Sequence, residues 1–350
     1  DGMRRKVHQS EPLPITMKPS QYVSGVRDVM YSREMQIEGS VELKQIVDLL
    51  LSDDPDDQVG LIDGTKTNFI PTKNFKLTVN PQDVISTGTL PASALERITP
   101  TMEWKFNKGY VTKGTLAMLD ILAHNNWKRP VYFCSTVPSD QFNGLDNYLY
   151  SEGLALRLLP LKQDSIASNT GEDLINLDPL YDHVMNKFKW GKIKTAKYLD
   201  AQSVDDISIF NRIFNNLTTG LIKAGRIEDA KKVMQRYDEV MPTKIYGIRN
   251  VMSMATMAQN LYTLGQTEKA NNLIKKYADY IQKEVTYLAD VTRSKNHLVG
   301  AQNVQIALIY GLEPMARVAA QYKQTKIADD LEKQYQNLYE RFSMYFGPQQ

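Results

Sequence analysis

FNNLTTGLIKAGRIEDAKKVMQRYDEVMP (Phe214–Pro242) and MATMAQNLYTLGQTEKANNLIKKYADYIQKE (Met254–Glu284) carry one pattern twice. In each, an apolar stripe at helical spacing runs into a glycine, Gly225 or Gly265, and resumes around a small residue, Ala230 or Ala270. The glycine ends the first helix in a backbone conformation that side chains resist. The alanine lets the second helix approach the first closely. The step between copies is about 40 residues, near the range of known helical repeats. The pattern predicts stacked helix hairpins. Leu217, Leu221, Ala230, Val233 and Met234 pack inside the first; Met257, Leu261, Ala270, Leu273 and Ile274 pack inside the second. Such arrays more often recognise a protein segment than perform chemistry. Tyr246, Arg249, Asn250, Asn260 and Tyr262 are the polar and aromatic residues expected to line the groove.

These features resemble tetratricopeptide repeats, with Phe214 in one copy and Met254 in the other where that family has its leading aromatic. Helix is expected from Asp178 to the end, punctuated by Gly191, Gly225, Gly265 and Gly311. A third unit, from about Val304 to Phe346, follows the pattern less closely, as terminal repeats do.

Working towards the start of the chain, the text changes character. Pro12, Pro14 and Pro19 argue for an extended opening. Ser40 stands as an N-cap before an amphipathic helix that buries Leu43, Ile46, Val47 and Leu50. Residues 57–112 read as strands and turns, with Asp63-Gly64 as a hairpin signal and Asn80-Pro81 as a second turn. A helix follows over Lys113–Asn125, with Leu116, Met118, Leu119, Ile121 and Leu122 on its buried face. Val131–Cys134 reads as a buried strand, and LALRLLPLK (Leu154–Lys162) as another. The expected fold class is α+β: a small mixed α/β domain over residues 1–165, then an all-α helical-repeat domain over 166–350. A polar linker begins at Gln163.

Composition excludes several classes. A length of 350 residues favours two domains, and 42% hydrophobic with 23% charged residues is ordinary for a globular protein. A net charge of +2 gives no reason to expect nucleic acid as a partner. Cys134 is the single cysteine, so no internal disulfide forms. There is no apolar run of membrane-spanning length and no signal peptide at the start. With Asp at position 1, the chain is expected to be a piece of a longer protein.

The residues of catalysis are sparse. His8, His124, His183 and His297 show no metal-ligand spacing, and no nucleophile elbow, phosphate loop or dinucleotide loop is present. No cofactor is expected. Asp53, Asp54, Asp56 and Asp57 form a dense carboxylate cluster, read as an exposed turn ahead of a cation site. His124 reads as a helix C-terminal residue, and Cys134 as a small buried apolar one.

The strings HNNWKRPVYFCSTVP and NGLDNYLYSEGLALRLLPLK (residues 124–162), with MNKFKWG, YLD and the opening MRRKVHQSEPLPI, carry a resemblance. They resemble the soluble C-terminal region of large multi-spanning membrane proteins of Bacteroidetes, a family of unknown function. Its membrane part is similar to protein O-mannosyltransferases and other enzymes that use lipid-linked sugars. Asp164-Ser165-Ile166 also looks like the O-glycosylation acceptor of that phylum. The resemblance implies an extracytoplasmic accessory module at the periplasmic face of the inner membrane. Its partners would be the parent's membrane region and an acceptor protein or peptide. It implies no catalytic residue in this chain. It singles out Asn125, Asn126, Trp127, Arg129, Tyr132 and Glu152, whose bland alternative is packing, with Arg129 paired to Glu152. The alternative function is a free-standing protein-binding scaffold; a carbohydrate hydrolase would need paired carboxylates in a deep pocket.

Overall fold

A computed structural model describes residues 12–25, 27–61, 64–162, 174–245, 247–295 and 300–342. The chain divides into two compact units, Asp1–Leu174 and Ile175–Gln350. The first mixes short strands with helices, and the second is all helical, as the fold-class reading expects.

The strands of the first unit are β1 (Val29–Tyr31), β2 (Val41–Glu42), β3 (Val59–Gly60), β4 (Lys66–Thr67), β5 (Asn74–Thr78), β6 (Thr101–Lys105), β7 (Tyr110–Thr112), β8 (Tyr132–Cys134), β9 (Leu149–Ser151) and β10 (Ala155–Leu158). They form two three-stranded sheets, β2-β5-β6 and β8-β10-β9, and two strand pairs, β1-β7 and β3-β4. Among the named strand pairs of the described residues, β2 and β5 run parallel and the others antiparallel. Helices α1 (Leu43–Leu51), α2 (Pro81–Ser86) and α3 (Lys113–His124) complete the unit. Helix α1 buries Leu43, Ile46, Val47 and Leu50, as expected, and α3 buries Leu116, Leu119 and Leu122. Alternation along β5 and β6 turns Phe75, Met102 and Trp104 inwards. There Phe75 stacks on Phe106 at 5.3 Å and meets Trp104 edge-on at 5.9 Å. Such aromatic pairs add to area burial by about 0.5–1.5 kcal/mol each.

Three local readings are corrected. Ser40 does not cap α1: Val41 and Glu42 pair with Phe75 and Lys76 first, and Glu42 precedes the helix without a side-chain cap. Asn80-Pro81 does not divide two strands. The Asn80 side chain accepts from the Gln82 backbone N–H, and Pro81 opens α2. Asparagine before proline is a helix start where the following residues can turn. Cys134 is exposed, not buried, because β8 is an edge strand showing alternate residues to solvent. The hairpin expected at Asp63-Gly64 is present as β3-β4, although Asp63 lies outside the described residues. So do Tyr246 and the glycosylation-like triplet at Asp164. Gly144 is fixed by close approach: at φ +88° an added Cβ would lie 2.0 Å from the Lys105 carbonyl oxygen.

The second unit opens with α4 (Leu177–Asp182), which continues into a π-helical turn at His183–Lys187. Then come α5 (Ala201–Lys223), α6 (Ile227–Val240), α7 (Met254–Thr263), α8 (Thr267–Lys295), α9 (Ala301–Gln305), α10 (Glu313–Gln321) and α11 (Thr325–Phe342). The hairpins α5–α6 and α7–α8 are the two sequence copies. Leu217, Leu221, Ala230, Val233, Met234, Met257, Leu261, Ala270 and Ile274 are buried, and Leu273 is half-buried.

The turns share one hydrogen-bond pattern. Gly225 N–H donates to Ile222, and Arg226 N–H reaches back to Leu221; Gly265 and Gln266 repeat this onto Tyr262 and Leu261. The hairpin α10–α11 does the same, with Lys323 donating to Ala320 and Gln324 to Ala319. Ala328 stands where Ala230 and Ala270 stand, each donating four residues back. The third repeat is therefore a full hairpin. Its turn residue is Lys323, at φ +60°, in place of glycine. Gly311 is corrected: it ends no helix but lies inside the π-helical stretch Ile306–Leu312. An added Cβ there would come within 2.9 Å of Ile281 and 3.2 Å of Val251.

Candidate functional site

The string Asn125–Tyr132 is a stapled turn leaving α3. The Asn125 side chain donates to the Arg129 carbonyl at 2.7 Å and accepts from its N–H at 3.1 Å. The backbone between is held at positive φ, +45° at Asn126 and +60° at Trp127. Outside glycine this costs on the order of 1–3 kcal/mol per residue and persists only where packing imposes it. The packing is visible: Trp127 rests on the hydrophobic core, and its carbonyl accepts from Thr89 at 3.3 Å. The cavity beside Asn125, Asn126 and Trp127 measures about 20 Å³, room for no more than a water. A sugar or peptide does not fit there.

Tyr132 and Glu152 do meet. Strands β8 and β9 flank β10, and Glu152 follows β9 directly, so the two side chains converge. The Tyr132 hydroxyl donates to Glu152 at 2.9 Å, and Arg157 donates to the other carboxylate oxygen at 3.4 Å. The Arg157 guanidinium also lies 5.7 Å from the Tyr132 ring centre. Burial first, and the Glu152 carboxylate second, push the phenol up. Glu152 is 4% exposed, with both oxygens engaged. It acts as a clamp across the sheet. Arg157 is a member that sequence reading missed; in LALRLLPLK it looks like one charged residue on a strand. Cys134 lies two residues along β8, and hydrogen bonds from Thr136 hold its thiol below the usual range.

His124 is the last residue of α3, and its Nδ1 lies 2.9 Å from Asp120. Asp120 is fully buried and also accepts from Thr16 N–H, Thr16 hydroxyl and Met17 N–H at 2.7, 2.9 and 3.1 Å. This carboxylate ties the opening segment to α3. Asp53 plays a like part at the end of α1. Lys18, Arg27 and Gln21 surround it and hold its carboxyl far below the usual range. Asp54 caps Asp56 N–H, and Asp57 takes the Ser52 hydroxyl. Three of the four carboxylates, Asp53, Asp54 and Asp57, thus accept from the protein's own donors. Among the described residues no three His, Cys, Asp or Glu side chains gather as a metal set.

In the helical unit the structure separates the expected groove residues. Asn250, Asn260 and Tyr262 are buried, not on an open face. Asn211 donates to Asn250 at 3.2 Å; Thr219 donates to Asn260 at 3.1 Å; Tyr262 stacks on Tyr322 at 4.8 Å and donates to Asn271 at 2.6 Å. They tie one hairpin to the next. Arg249 alone of the four stays exposed. It borders an open groove of about 410 Å³ between α5 and the start of α7, shared with Arg212, Asn215, Ile209, Met252 and Thr256. Ile209 and Arg212 escaped sequence reading because they precede the repeat signal at Phe214, on a helix, α5, that begins at Ala201 and is capped by Asp200; Asn215 lies inside that signal and was not singled out.

Fold and sites together define a two-unit protein: a strand-and-helix unit closed by buried polar clamps, and helix hairpins with an open groove. Residues 1–178, just over half of the chain, match the family model of TMEM260-associated domain 2, and the chain belongs to that family. No curated protein and no solved structure matches it.

Proposed function

We infer that this chain is an extramembrane accessory part of a longer membrane protein of the O-mannosyltransferase-like kind. The family match over residues 1–178 carries this reading, because it ties the first unit to a membrane-protein context. No helix among the described residues is long and apolar enough to cross a membrane, so spans would belong to other parts of the parent. The first unit docks on the parent's membrane region, near its active site. The helical unit holds an acceptor protein or peptide in the groove between α5 and α7. Sugar transfer from a polyprenyl-phosphate donor takes place in the membrane region, at the periplasmic face of the inner membrane.

The test has two parts. The native gene upstream of Asp1 is expected to encode many membrane-spanning segments; a bare start codon would leave a free-standing scaffold instead. Removing Ile175–Gln350 from the parent is expected to abolish transfer to a protein acceptor while sparing release of sugar from the lipid donor. Equal loss of both activities would argue for a bracing role of the helices.

A further inference from the structure

We propose that the groove between α5 and α7 binds an acidic, extended peptide segment, an assignment that rests on the acceptor-holding role inferred above. Two helix stripes build the trough. Ile209 and Arg212 stand on α5, and Arg249, Met252 and Thr256 stand on and just before α7. A volume of about 410 Å³ takes a stretch of a few residues, not a folded domain.

The charged side chains that line the groove are arginines. Arg212 is exposed and makes no hydrogen bond or ion pair among the described residues. Arg249 is 58% exposed and reaches Asp205 only at 3.7 Å, with Asp205 itself half exposed. An ion pair that exposed and that long is worth little, so a guest carboxylate displaces it at small cost. Among the described residues no acidic side chain lines the groove. The chain as a whole is close to neutral, so this is a local field and not a broad basic face of the kind that takes nucleic acid.

The floor adds a second preference. Met252 is 49% exposed and offers an adaptable apolar contact beside the arginines. Asn215, which also lines the groove, is 2% exposed. Its amide nitrogen donates to the Ser253 carbonyl at 2.7 Å, which fixes which way the amide points. Its Oδ1 then has no hydrogen-bond partner. Buried polar atoms without partners are rare and call for a donor. A guest backbone N–H that reached it would supply that donor. The guest is therefore a segment with an exposed backbone, a carboxylate for the arginines, and an apolar side chain for Met252.

The test is fluorescence anisotropy of the full chain with three labelled nonapeptides: one alternating Asp and Glu with Leu, one with Asn and Gln in their place, and one with Lys. The acidic probe is expected to bind about tenfold more tightly than the amide probe, and the advantage to fade as salt rises. Arg212→Glu with Arg249→Glu is expected to erase that advantage and admit the Lys probe; both arginines are exposed, so the fold tolerates the change. Lys283→Glu, on exposed α8 surface, is the charge control and leaves binding unchanged. If acidic and amide probes bind alike and Thr256→Trp blocks both, the groove holds peptides but the acidic preference is wrong. If no probe binds, or binding ignores the arginines and Thr256→Trp, the groove assignment fails.

Discussion

The two units solve the problem of closing a core in opposite ways. In the first, strands of two to five residues and short helices are fastened by long-range polar ties: Asp120 to Thr16, Asp53 to Arg27, Glu152 to Tyr132 and Arg157. In the second, long helices repeat one turn and interdigitate apolar side chains, and buried asparagines link one hairpin to the next. The difference teaches where each is vulnerable. A repeat fails where its packing is hollowed out; a stitched unit fails where a buried charge loses its donors or keeps them without an acceptor.

The sharpest break is expected at Phe214. It is fully buried, 5.3 Å from Trp190 and 5.2 Å from Tyr237 by ring centres. Phe214→Ala is predicted to cost about 3–5 kcal/mol, confined to the helical unit. Hydrogen exchange read by mass spectrometry should show α5–α8 opening while β5–β6 stays protected. Equal opening in both units would mean that they do not fold as separate cores.

Next is Asp120→Ala, which leaves the Thr16 and Met17 amides without their acceptor. The expected loss is about 2–4 kcal/mol in the first unit alone, read in the same way. An unchanged exchange pattern at α3 would show the clasp to be ornamental.

Alkali should weaken the helical unit. Burial pushes the phenols of Tyr237, Tyr277 and Tyr280 up, that of Tyr280 to about 12. A phenol whose folded pKa lies above its unfolded value of about 10 favours the fold fully below that pH. The advantage is lost as pH rises beyond it, because only the unfolded chain ionises. Far-UV circular dichroism should therefore fall steeply above about pH 10, and replacing Tyr280 by Phe should delay the fall. Acid acts in the other direction. Lys113 holds the Asp28 carboxyl, and Lys18 with Arg27 the Asp53 carboxyl, below the ordinary value. What those pairs contribute is present above about pH 4 and fades as pH drops through the folded values.

The smallest effect is a gain. Lys323 occupies a left-handed turn that glycine holds in the other two hairpins. Lys323→Gly is predicted to stabilise the third hairpin by about 0.5–1 kcal/mol, seen as a modest rise in thermal midpoint. A loss would mean that the lysine side chain contributes there.

The same contrast explains what the sequence disclosed. The hairpins were legible because their signals are local: a glycine turn, an alanine five residues on, and leucines at helical spacing. The third was faint for one reason, the lysine at its turn. Helices α1 and α3 were readable from periodicity. The stitches of the first unit were not. Asp120 sits on an apolar helix face with no hint that Thr16 will cover it, and Arg157 reaches Glu152 only once β10 lies between β8 and β9. In the helical unit, Asn250, Asn260 and Tyr262 looked like groove residues because polar and aromatic side chains on a repeat suit either a ligand or a neighbouring hairpin. Only packing decides, and it turned them inwards. Arg212 stood midway along α5, just ahead of the repeat pattern that starts at Phe214.

The most direct test of the division of labour proposed above is hydrogen exchange of the proposed parent membrane protein with and without an acceptor protein. The isolated chain serves as reference. The account predicts that acceptor slows exchange across α5 and α7 and leaves β5–β6 unchanged. It also predicts that the membrane region protects the first unit relative to the isolated chain. Acceptor-dependent protection confined to Asp1–Leu174, with α5 and α7 unaffected, would contradict it.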